Sequence, residues 1–189
     1  FSQRRSKLRA EAFTELRERL VAGFYADGAY RKWQGYLTLA VDATALQLPE
    51  GPALAAEFGL AENRGKSMPM GRASLLYDVE NGLVVDALLR GYRAGEAEMA
   101  LEHIGRLARL PLAGPCLLLF DRGYPSLWLM ACLQRLGVEF VMRCGGDFLA
   151  EVGELARQPA REALLDLDLE RGHRLKSGKL LGFLAPGQT

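Results

Sequence analysis

ASLLYDVENGLVVDALLR, residues 73–90, decides the fold. Two apolar runs, 73–80 and 83–90, flank Asn81-Gly82. Asn-Gly between such runs marks a β-hairpin, because a type I′ turn needs positive φ at both central residues. With a two-residue loop the expected cross-strand partners are Val79 with Val84, Tyr77 with Asp86 and Leu75 with Leu88. Apolar residues fall on both faces of the ribbon. A sheet covered on both sides is therefore expected.

Upstream, YLTLAVD (36–42) reads as a short apolar strand ending in Asp42. Pro49, Gly51 and Pro52 then break the chain, and residues 53–71 read as a loop with at most one helical turn. Further back, Phe13, Leu16, Leu20 and Phe24 recur at helical spacing over 6–24, giving an amphipathic helix with one apolar stripe. Downstream, Ala97, Ala100, Leu101, Ile104 and Leu107 stripe a second helix over 95–109. CLLLFD (116–121) is an uninterrupted apolar run, the pattern of a central parallel strand. Pro125 suits the first turn of a third helix, which Gly137 ends. VEFVMR (138–143) reads as another buried strand.

The order is strand, hairpin, helix, strand, helix, strand, which makes an α/β protein with a mixed sheet. It matches a ribonuclease H-like arrangement, in which the first and fourth strands lie side by side in the middle. A Rossmann or flavodoxin-like fold would put a helix where the hairpin stands. In the tail, Leu165, Leu167 and Leu169 alternate with Asp166, Asp168 and Glu170, the mark of a half-exposed strand. The expected organisation is an N-terminal helical region (1–35), a ribonuclease H-like core (36–150) and a β-rich segment (151–189).

Composition narrows the class. At 189 residues, 49% hydrophobic and 25% charged, the chain reads as an ordinary globular protein. No run of about twenty apolar residues is present, so no membrane span is expected. FSQRRSKLRA has no signal-peptide core, and a first residue other than Met suggests a fragment or a processed start. Cys116, Cys132 and Cys144 are odd in number and lack CxxC spacing, which suits reduced thiols and a cytoplasmic location. The net charge is only +1, but residues 1–35 hold eight arginines and lysines against four acids. Arginine dominates, and its planar fork suits phosphate.

Asp42 and Asp121 each close an apolar strand. On neighbouring strands their carboxylates would lie roughly 5 Å apart, close enough to share a divalent cation. Without one, two such charges would resist joint ionisation. Oxygen ligands favour Mg²⁺ or Mn²⁺ over Zn²⁺. Taken singly, either aspartate could equally be a turn residue or a helix cap. Arg122 could pair with an acid or bind a DNA phosphate. Gly123 permits the turn, and Tyr124 could pack beside the site or touch DNA backbone. GLAENRGKS (59–67) is not a P-loop, since its glycines enclose five residues rather than four. Arg64 and Lys66 in it are candidate phosphate contacts. Asp166 and Asp168 share an outward face. His103 and His173 read as isolated, with no zinc site, and the two tryptophans read as core.

VDATALQLP, GRASLLYDVENGLVVDALLRGYRAGEAEMALEHI, LLLFDRGYPSLWLMACL and GVEFVMRC together resemble the catalytic domain of DDE-type insertion-sequence transposases, nearest the insertion-sequence-four group. The resemblance covers about residues 4–150. It implies a ribonuclease H-like fold, with Asp42 and Asp121 as first and second catalytic acids on two divalent cations. It also implies DNA, as transposon ends and target, for a partner, and a homodimer on that DNA as one arrangement. The implied chemistry is hydrolysis at DNA followed by strand transfer. Ala43 stands where the family usually has Gly. The family's third acid, a Glu in a Tyr-x-x-Arg-x-x-x-Glu-x-x-x-x-x-x-Lys helix, has no counterpart in this chain. The resemblance thus implies that the core is incomplete and that the last segment (151–189) is the start of a β-rich insertion, so a fragment with little or no transposition activity is expected.

Two other readings remain open. One is a non-catalytic DNA-binding or regulatory remnant, motivated by the basic N-terminal region and the Arg64–Lys66 loop. The other is a phosphatase-like α/β enzyme, which needs a helix in place of the Asn81-Gly82 hairpin.

Overall fold

The computed structural model describes residues 9–63, 65–110, 112, 114–158, 162 and 164. Among these, the elements in chain order are α1 (Ala10–Tyr25), β1 (Leu37–Gln47), α2 (Pro52–Phe58), β2 (Leu60–Asn63), β3 (Lys66–Asp78) and β4 (Leu83–Gly91), then α3 (Glu96–Leu107), β5 (Cys116–Phe120), α4 (Leu127–Arg135), β6 (Glu139–Met142) and α5 (Ala150–Arg157). The chain divides into two compact units, Phe1–Cys116 and Leu117–Thr189. The element order agrees with the ribonuclease H-like expectation, and antiparallel and parallel pairings both occur. No described helix is long and apolar enough to cross a membrane. The three cysteines are free thiols.

In the first unit β3 is the hub, pairing antiparallel with β1, β2 and β4. The hairpin exists, but its loop is longer than the Asn-Gly pair alone requires. β3 stops at Asp78 and β4 starts at Leu83, so Val79 to Gly82 all lie in the loop. Gly82 has φ 69°, while Asn81 is not at positive φ, so this is no type I′ turn. The partners are Tyr77 with Val84, Leu76 with Asp86 and Ser74 with Leu88, and a bulge falls between Leu76 and Tyr77. The cause is local. The Asp78 carboxylate accepts the Asn81 backbone N–H (3.1 Å) and its side-chain amide (2.7 Å), while the Asp78 carbonyl accepts the Gly82 N–H (2.9 Å). These bonds wind the tip into a four-residue loop.

One face of this sheet is core: Leu37, Leu39, Val41, Leu76, Val85 and Leu88 are 4% exposed or less. The other is open, with Leu75, Tyr77, Val84 and Leu89 each about 40% exposed. The expected two-sided cover is thus absent among the described residues.

α1 presents an unexpected face. Phe13, Leu16 and Leu20 are more than half exposed, whereas Val21 and Tyr25 are buried. Polar anchors decide the rotation. The Tyr25 hydroxyl donates to Asp78 at 2.7 Å, Arg17 pairs with Asp86, and both carboxylates lie on the core side of the sheet. A buried carboxylate left without its donors is more costly than an exposed leucine. Trp33, expected in the core, is about half exposed.

The expected loop at 53–71 holds two-turn α2 and the β2–β3 hairpin instead. Pro52 opens α2 at a position where its missing N–H costs nothing.

In the second unit β5 and β6 run parallel, from Leu117 beside Glu139 to Phe120 beside Met142. β6 is only half-buried rather than buried. α4 begins after Pro125, with Ser126 as its cap: the hydroxyl accepts the Leu129 N–H at 3.1 Å. α5 is a helix at the head of the segment expected to be β-rich. Asp166, Asp168 and His173, and the strand expected around them, lie outside the described residues.

Candidate active site

Asp42 does not end its strand. β1 continues five residues further to Gln47, paired throughout with β3. Burial ends there instead: Val41 is 2% exposed, while Asp42, Thr44 and Gln47 are exposed. The alternation that turns Val41 inward turns Asp42 to the open face, in one row with Leu75 and Ala87. Asp42 Oδ1 accepts the N–H of Ala43 at 2.8 Å. That donor is backbone, so Ala serves there as well as Gly.

Asp121 lies one residue past β5. Its Oδ1 accepts the Gly123 N–H at 2.8 Å, and its carbonyl takes the Tyr124 N–H at 3.3 Å. This is an Asx-type turn, not the helix cap that sequence left open, since Ser126 caps α4. Both aspartates thus share one design. One carboxylate oxygen is fixed by a backbone amide close in sequence, and the carboxylate is exposed. Fixed, solvent-facing, hard oxygen donors suit Mg²⁺ or Mn²⁺. Among the described residues no group of three His, Cys, Asp or Glu side chains gathers into a metal site.

The candidate phosphate contacts scatter. Arg122 is exposed in the turn, without an ion pair among the described residues, and Lys66 is exposed at the start of β3. Arg64 lies outside the described residues. Tyr124 is 2% exposed, with its ring 5.2 Å from that of Phe120, so it braces the turn from below and offers DNA no face. Three of the described N-terminal arginines face acids. Arg9 faces Glu11, Arg19 pairs with Glu15, and Arg17 turns inward to Asp86.

Two buried polar networks escaped the sequence reading. Asp78, fully buried, joins Tyr25 to Asn81. Burial first, then the bond to Asp78, pushes the Tyr25 hydroxyl pKa far up. The second network centres on His103. Nδ1 lies 2.8 Å from Asp86 Oδ2, and Nε2 lies 3.0 Å from Ser74 Oγ. A carboxylate only accepts, so Nδ1 carries the proton and Nε2 accepts from the serine hydroxyl. Asp86 also pairs with Arg17 and, at 3.4 Å, with Arg106. These arginines and Asp86 line a cleft of about 530 Å³ between α1 and α3. The set has the members of a hydrolytic triad, but Ser74 and His103 are 0% exposed and no substrate can reach them. Burial, then Arg106, lowers the His103 pKa to about 4, so the ring is neutral at pH 7. The signal lay in polar residues on core-facing positions: Ser74 and Asp78 are in phase with Leu76, and His103 sits among Met99, Ala100 and Leu107.

The fold and the exposed, backbone-fixed carboxylates define a class, that of mixed α/β domains displaying acids from their strands. A family model described as Transposase DDE domain matches residues 33–181, and the chain belongs to that family. No curated protein matches the chain. Among solved structures, the cryo-EM structure of the piggyBac transposase synaptic complex with hairpin DNA is similar over 67% of this chain and 27% of that one, at 14% identity and a TM-score of 0.40.

Proposed function

We propose that the chain is part of the catalytic domain of a DNA transposase of the insertion-sequence-four group, with Asp42 and Asp121 as metal ligands, DNA as partner and residues 36–150 as the catalytic core. The observation that carries the reading is the local design the two aspartates share: each is exposed, and each has one carboxylate oxygen held by a backbone amide, Ala43 for Asp42 and Gly123 for Asp121. Family membership supports the same two positions, since both fall within the matched residues.

Asp42 and Asp121 would hold Mg²⁺ or Mn²⁺, which when bound would make a water nucleophilic and offset charge on the phosphate. The chain's own contribution is placement. Ala43 and Gly123 amides fix one oxygen of each carboxylate, and Arg122 stands beside Asp121 to pair with a phosphate oxygen. Calorimetric titration with Mn²⁺ tests this. Asp42→Asn and Asp121→Asn should each weaken binding, and binding unchanged in both variants refutes the assignment.

A second reading, DNA binding without cleavage, is favoured by exposed Arg122 and Lys66. It expects duplex affinity that falls steeply with salt and survives both Asp→Asn changes. The phosphatase-like alternative loses its support, because the hairpin stands where it needs a helix.

A further inference from the structure

His103 takes no part in the proposed chemistry, yet it is fully buried and both ring nitrogens are engaged. Its two arms reach different strands: Nδ1 holds Asp86 on β4, and Nε2 holds Ser74 on β3. Ser74 lies opposite Ala43 in the β1–β3 ladder, and the Ala43 N–H fixes Asp42 Oδ1. One hydrogen bond therefore links α3 to the rung beside Asp42. The location matters. Leu37, Leu39 and Val41 are seated in the core, and beyond Val41 the strand is largely exposed. Ala43–Ser74 is the rung that follows Asp42–Leu75, and its Ser74 side is still 0% exposed, with Leu88 beyond it in the core.

We propose that His103 is a positioning residue for Asp42. Through Ser74 it sets the height of β1 over α3 at the point where the strand leaves the core. This rests on the reading of Asp42 as a metal ligand. The two arms can be removed one at a time. An Asn amide reaches the place of Nδ1 and keeps the bond to Asp86; a Gln amide reaches the place of Nε2 and keeps the bond to Ser74. A histidine that merely stabilises the core would make metal affinity follow stability, whichever arm is lost.

The experiment is Mn²⁺ titration calorimetry with thermal unfolding on the full chain. His103→Asn and Ser74→Ala should weaken Mn²⁺ binding about tenfold, as loss of a support behind a ligand does, while His103→Gln changes it less than about twofold. Both His103 variants should lower the unfolding temperature. Equal weakening in the Asn and Gln variants, or none in Ser74→Ala, overturns the proposal. Ser74→Ala removes only a hydroxyl, so the test stands if a His103 variant does not fold. Asp42→Asn runs in parallel. If it leaves binding unchanged, the metal reading of Asp42 fails and the positioning role with it. If it weakens binding while Ser74→Ala does not, positioning alone fails.

Discussion

Acid should destabilise this fold through His103 before it protonates most surface acids. The folded state lowers the pKa from 6.5 to about 4, by burial first and then by Arg106; Glu102 works against these and Arg17 with them. Asp86 and Ser74 occupy both nitrogens. The sign follows. As pH falls through 6.5, the unfolded chain takes up a proton that the folded chain refuses until about 4. Stability is therefore complete above 6.5, declines between 6.5 and about 4, and loses no more from this residue below that. At about 1.4 kcal/mol per pH unit the whole window is worth about 3 kcal/mol, and about 2 kcal/mol is gone by about pH 5. Ser74 and His103 are fully buried, so solvent screening takes little from this figure. Urea unfolding at about pH 7.5 and about pH 5 measures the loss. The same pair of measurements on His103→Gln removes the contribution of carboxylates common to both chains. An equal loss in the variant refutes the reasoning. The chain has two histidines, so proton NMR can also follow the ring directly, and a folded-state titration near 6.5 would refute it as well.

Three further changes probe the scaffold. Asp78→Ala strips the fully buried acceptor of Tyr25 and Asn81 and should cost about 3 kcal/mol by thermal or urea unfolding. Gly82→Ala places a Cβ 3.6 Å from the Tyr77 hydroxyl, an ordinary contact, so the φ of 69° alone should cost about 1 kcal/mol. Ser126→Ala removes the cap of α4 and should cost about 1 kcal/mol, with α4 amides exchanging faster.

The element order was legible because apolar runs and punctuation are local: CLLLF, the α3 stripe and the Asn-Gly signal all mark real elements. The detail was lost wherever a distant polar partner outweighed the local pattern. Two-residue turn chemistry set the expected hairpin register, but Asp78 holds the loop at four residues. The stripe of Phe13, Leu16 and Leu20 pointed the wrong face of α1 inward, because Asp78 and Asp86 sit fifty residues away in the sequence or more. Asp42 was found by its place after an apolar run. What stops at Asp42 is burial rather than strand pairing, and sequence alternation does not separate the two. His103 looked solitary because Asp86 and Ser74 are on other elements. Tyr124 looked available because nothing local announces that Phe120 and the turn close over it.

The hairpin tip carries one more consequence. Asn81 Oδ1 accepts the backbone N–H of Arg31 at 2.8 Å, and its Nδ2 donates to the Arg31 carbonyl at 3.0 Å. A single side chain thus pairs with Arg31 as the edge of a strand would. Arg31 is exposed, and an exposed amide ordinarily trades its hydrogen for deuterium quickly. This one is held back only while the tip is in place, so its exchange clocks how often the β3–β4 loop lifts from the segment leading into β1.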